Sequence, residues 1–151
     1  MGPARTVAVG VAMMALWACQ PRHAEELETV DAVRDDDAAA VQRYLDAGGD
    51  PDAVNRDGHP LIYLATGPRG GVEVLSVLIA GGADLERQSD NGRTALMNAA
   101  GWCDAPMVRM LIAAGADVRH ATPEGDTVRD AVCAGPLDRR AEVLNLIDAM
   151  L

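Results

Sequence analysis

Phenylalanine is absent from this 151-residue chain, and aromatic residues of any kind make up only 3%. Apolar residues reach 49%, so a core can form, but it must be built from Ala, Leu, Val, Ile and Met. Such a core favours close helix packing over a β-sandwich, whose strands are enriched in aromatic and β-branched residues. Lysine is missing too: all 13 basic residues are arginine, a hint of a GC-rich genome rather than of mechanism. Positive charge is therefore scarce. With 23 acids the net charge is −10, which repels phosphate backbones, so nucleic acid is not an expected partner. No basic amphipathic helix is present to bind anionic lipid. The acidic surface is either simply solvated or offers a face to a basic partner. The length suits one domain of ordinary size.

A long hydrophobic run is also lacking. The longest, TVAVGVAMMALWA, spans Thr6 to Ala18 and is too short for a membrane-spanning helix, which needs roughly 20 residues. With Arg5 before it, the run fits a secretory signal. It ends in LWAC, with Leu16 three residues before Cys19 and Ala18 just before it. This Leu-x-Ala-Cys resembles the lipobox of bacterial lipoproteins, although Trp17 fills a slot that usually holds a small residue. The resemblance implies a signal peptide at 1–18, diacylated Cys19 as the mature N-terminus and a short tether over 19–24. Gln20, where lipoproteins retained in the inner membrane carry Asp, resembles the outer-membrane class. The implied location is the periplasm, with the chain held to the inner leaflet of the outer membrane by its lipid. A soluble periplasmic protein and an uncleaved anchor are the alternatives.

Catalytic and ligand-binding signatures are wanting as well. There is no G-x-S-x-G, no P-loop and no dinucleotide fingerprint. His23, His59 and His120 are scattered, without a second ligand three or four residues away, so no metal is expected. His59 and His120 fall near loop tips and are expected to be solvated. DPDAVNRDG (50–58) lacks EF-hand spacing. Asp35, Asp36 and Asp37 suggest a solvated turn between helices. GPRGG (67–71) has no preceding strand and no lysine, so it is no phosphate cradle; it suggests a flexible loop. Neither enzymatic activity nor a cofactor is expected.

What is present is a repeat. YLDAGGDPDAVNRDG (44–58), LIAGGADLERQSDNG (78–92) and LIAAGADVRHATPEG (111–125) align. Asp50, Asp84 and Asp117 are 34 and 33 residues apart, and Gly58, Gly92 and Gly125 keep the same spacing. In GRTALMNAA (92–100), Thr94 can cap a helix whose stripe is Leu96, Ala99 and Ala100. Val108, Leu111 and Ile112 form a second stripe, and Gly115 is placed to end it in a left-handed cap. Helix, turn, antiparallel helix and long finger, with G-x-T-A-L-x-x-A-A and L-I-A-A-G-A-D, resemble the ankyrin repeat. GHPLIYLAT (58–66) is a looser copy with Pro60 in the threonine slot, and Tyr63 and Met97 replace the family's frequent histidine. The resemblance implies an all-α solenoid over 25–151, about four repeats including two capping ones: about 25–57, 58–91, 92–124 and 125–151. In the last unit Val128, Ala131 and Val132 fit a first helix only if one residue is deleted.

Ankyrin-type domains generally bind proteins through finger tips and the exposed side of the first helices. Carried onto this chain, those positions are Asn55, Arg56, Asp57, His59, Tyr63, Ser89, Asp90, Asn91, Arg93, Met97, Trp102, Thr122, Glu124 and Asp126. Trp102 is either a packing residue or an aromatic anchor. Cys103 and Cys133 end first helices of adjacent units. Stacked helices sit about 10 Å apart, whereas a disulfide needs Cα atoms within about 7 Å. In a reducing compartment they are inert buried thiols; in an oxidising periplasm they can pair. The expected function is a non-enzymatic protein-interaction module of the bacterial envelope, acting as a monomer. Alternatives are an immunity or inhibitor protein neutralising a toxin or effector, and an envelope stress-response accessory.

Overall fold

Capping residues set where each helix starts. Asp37 accepts from the Ala40 N–H and opens one helix; Asp104 accepts from Met107 at 3.0 Å and opens another, with Pro106 in its first turn. Thr94 accepts from Met97, as its position predicts. Pro60 offers no side-chain cap, and the helix after it is only five residues long. The computed structural model describes residues 21–151, with side chains from residue 28 onward. The expected leader and Cys19 lie outside the described residues. Among the described residues seven helices follow one another: α1 (Pro21–Arg34), α2 (Ala38–Asp46), α3 (Leu61–Ala65), α4 (Val72–Ala80), α5 (Ala95–Gly101), α6 (Ala105–Ala114) and α7 (Leu137–Asp148). Residues 21–24, expected within the short tether, belong to helix α1.

The helices form two layers. One runs α1, α3, α5 and the other α2, α4, α6, α7, with α1 on α2, α3 on α4 and α5 on α6 closing each unit. The core between them is aliphatic: Val33, Val41, Ile62, Leu75, Leu78, Leu96, Val108, Leu111, Val143 and Ile147 are all fully buried. Each such side chain contributes roughly 1.5–3 kcal/mol. Ala65, Ala95, Ala99 and Ala100, also fully buried, keep the first layer closely spaced. Gly115 ends α6 at φ 100°, the left-handed cap its position predicts. Among the described residues no helix is long and apolar enough to cross a membrane.

Three local expectations are corrected. The fourth unit has no first helix: residues 127–131 make a single turn. Its register puts Arg129 where Leu96 stands one unit earlier, and Arg129 pairs with Asp148 at 3.3 Å instead of entering the core. The Cys133 N–H is then taken by the Ala100 carbonyl of the preceding unit. The GPRGG segment, expected as a flexible loop, is closed into a turn, with the Gly70 N–H bonded to the Gly67 carbonyl and Pro68 and Arg69 between. A Cβ on Gly70 would strike the Ala65 backbone, and one on Gly71 would strike the Asp36 carboxylate. The Asp35–Asp37 run, exposed as expected, is not merely solvated. Besides the cap made by Asp37, Asp36 reaches across to accept from the Val74 N–H of α4 at 3.2 Å.

Candidate interaction surface

The repeated aspartates build the fingers. Asp50, Asp84 and Asp117 each accept from the backbone N–H two residues on, at 2.9, 2.9 and 2.8 Å. The residue at that second position links to the next unit. Asp52 accepts from the Asp84 N–H at 2.7 Å, and Glu86 from the Asp117 N–H at 2.8 Å. In the third finger Arg119 stands there and donates to the Leu151 carbonyl at 3.2 Å.

The tips are small hairpins, with Asn55, Ser89 and Thr122 each donating a backbone N–H to the carbonyl four residues on, all at 2.9 Å. Their side chains also turn inward. Asn55 Oδ1 accepts from Asp57 and His59, Ser89 Oγ from Arg93, and Thr122 Oγ1 from Asp126. All three side chains are buried, so these expected contact residues organise the hairpins instead of facing a partner. Arg56, Asp57, Asp90, Asn91, Glu124 and Asp126 are exposed on the tips.

The histidines are also held. His59 stacks on Tyr63 with ring centroids 5.2 Å apart, and its Nδ1 lies 3.5 Å from the Asp90 carboxylate of the next finger. That contact does not form a hydrogen bond, and the buried Nδ1 has no hydrogen-bond partner among the described residues. His120 Nε2 is 3.1 Å from the Gly92 carbonyl. Both are only partly exposed, not free in solvent as the sequence suggests.

Of the first-helix residues, Tyr63 is half-buried, whereas Met97 is 0% exposed and unavailable to a partner. Arg93 crosses over this position and donates to the Met97 carbonyl at 3.1 Å. Trp102, the C-cap of α5, is 54% exposed. It borders two adjoining depressions. One of about 440 Å³ is lined by Arg34, Tyr63, Leu64, Asn98 and Trp102, together with Gly67 to Gly70 of the GPRGG turn. The other, about 340 Å³, is lined by Tyr63, Asn91, Arg93, Asn98, Gly101 and Trp102.

Arg34, Arg69 and Asn98 were not among the expected site residues. Asn98 replaces the equivalent Leu64 and donates to the Tyr63 carbonyl at 3.0 Å and to Thr66 Oγ1 at 3.1 Å, tying α5 to α3. A polar residue in an apolar helix slot was its available signal. The turn chemistry of Gly-Pro-Arg-Gly could have flagged Arg69; nothing in the sequence marks Arg34.

Trp102 is fixed from behind by a covalent bond. Cys103 and Cys133 form a disulfide with Cα atoms 5.6 Å apart. The separation falls below that of stacked helices because neither residue is on a helix. Cys103 turns back at φ 54°, and the bond from its own N–H draws Cys133 to Ala100.

Residues 30–122 match the family model of ankyrin repeats, in three copies. The chain belongs to the ankyrin repeat family. A solved structure of the ankyrin repeat domain of Bcl-3, described as a unique member of the IkappaB protein family, is similar to it. The TM-score is 0.64 and the identity 26%, over 72% of this chain and 45% of that one. The match thus spans less than half of the Bcl-3 chain. Ankyrin repeats are in general non-catalytic scaffolds for protein–protein interaction, and the exposed aromatic groove lies on the layer of first helices. Among the described residues no group of His, Cys, Asp or Glu could hold a metal ion.

Proposed function

We propose that this ankyrin repeat protein is a non-enzymatic capture module of the bacterial envelope that binds one protein partner in the groove beside Trp102. The observation that carries the binding reading is Trp102 itself. A large aromatic left 54% exposed, in a chain with only 3% aromatics, beside Tyr63 and three arginines, has the composition of an interface hot spot. The finger tips Arg56, Asp57, Asp90 and Asn91 would form the rim.

The envelope reading is supported by the apolar leader ending in LWAC and by the Cys103–Cys133 disulfide, since such bonds persist in oxidising compartments. Cys19 would carry the lipid.

Two measurements test these readings. The full-length chain, carrying a photo-crosslinker in place of Tyr63, should capture a discrete envelope protein, and Trp102→Ala should abolish that capture without changing the circular dichroism. Unchanged capture by the Trp102→Ala chain would refute the placement. Intact mass of the mature protein should show an N-terminal diacylated Cys19; an unmodified start at another residue would end the lipoprotein claim.

A further inference from the structure

We propose that the groove recognises an acidic, extended protein segment carrying a large apolar side chain. This rests on the interaction reading above and specifies the chemistry of the partner. Acids outnumber bases 23 to 13 along the chain, yet the walls of the two depressions hold Arg34, Arg69 and Arg93 and no Asp or Glu. The local charge is thus opposite in sign to the protein as a whole.

These arginines have no carboxylate partner among the described residues, where the arginine–carboxylate pairs are Arg109–Glu142 and Arg129–Asp148. Arg93 spends one Nη on the Met97 carbonyl, which fixes its position and leaves other donors of its fork. The three come from three successive units: the end of α1, the turn after α3 and the lead into α5. A segment meeting all three must run along the stack, which calls for an extended chain. Guanidinium forks suit carboxylates, which they can bind bidentately.

The remaining wall suits the rest of such a segment. Trp102 and Tyr63 present apolar surface. Asn98 directs its Nδ2 to Tyr63 and Thr66, while its Oδ1 accepts from nothing among the described residues and can take a backbone N–H of the occupant. A basic segment would set cations against unpaired guanidiniums. The chain's net −10 opposes an acidic partner only at a distance, because screening confines that repulsion to about 8 Å at physiological ionic strength.

The test uses the full-length chain in mild detergent and three fluorescein-labelled decapeptides. One alternates glutamate with leucine around a central tryptophan; in the others every glutamate is replaced by glutamine or by lysine. Fluorescence anisotropy should show the glutamate peptide binding at least about tenfold more tightly than either, and weakening as salt rises. Arg69→Glu, on an exposed turn, and Arg34→Glu should each weaken the glutamate peptide and strengthen the lysine peptide with unchanged circular dichroism. Equal binding of all three peptides, preference for lysine, or an unaltered ranking in both variants would overturn the proposal. So would a concentration-dependent dimer dissolved by Arg69→Glu, which would assign the groove to a second copy. If the peptides fail this ranking while Trp102-dependent protein capture persists, only the acidic chemistry falls. If no capture depends on Trp102, the underlying interaction reading falls with it.

Discussion

Thr127 donates twice to one carboxylate: its Oγ1 lies 2.6 Å and its N–H 3.0 Å from Asp130 Oδ2. Those bonds, side chain first, hold the Asp130 carboxyl below the usual range, with Arg129 adding a smaller attraction against a small burial effect. A depressed carboxylate stabilises the fold above its unfolded pKa, and that contribution is lost as pH falls through the lower folded value. Thr127→Val should raise the Asp130 pKa toward that of a free aspartate, read by carbon-13 NMR titration; an unmoved titration would contradict this origin. The buried Met97 shows why some residues escaped the sequence. A repeat places it by family slot, but which face of a seven-residue helix is covered depends on Arg93 folding over it. The same holds for Asn55, Ser89 and Thr122: their recurrence at finger tips was legible, their inward hydrogen bonds were not.

Between elements, the contacts that matter are close approaches. Asp36 fits over Gly71 and caps α4, so Gly71→Ala should destabilise the protein by about 1–3 kcal/mol in chemical denaturation. Combining it with Asp36→Ala should cost less than the sum of the two single changes, because the clash disappears with the carboxylate. Strict additivity would show the two residues to be uncoupled. Asn98→Ala should cost about 1–2 kcal/mol, since it removes both side-chain bonds from α5 to α3. Periodicity and caps revealed α5 and α6 from the sequence, because Thr94, Gly115 and the apolar stripes act within one unit. The Asp36 cap spans 38 residues, and no local pattern announces it. The missing first helix of the fourth unit could have been foreseen from Arg129 in the leucine register.

For the whole molecule, the disulfide closes a separation of 30 residues and ties the irregular fourth unit to the third. Loop closure of that size corresponds to about 3–4 kcal/mol. Cys103→Ser with Cys133→Ser should therefore lower the denaturation midpoint markedly, with the fourth unit opening first in hydrogen exchange; an unchanged midpoint would show the bridge to be energetically idle. The finger links have a different consequence, for the evolution of the array. Copying the unit that contains Glu86 would bring along a carboxylate able to receive the N–H of whichever finger follows. Copying the one that contains Arg119 would set a donor against that N–H and remove the link between the units. Internal duplication is thus compatible with this stack only for units whose joining residue is acidic, so the chain carries its own rule for which of its pieces can be multiplied.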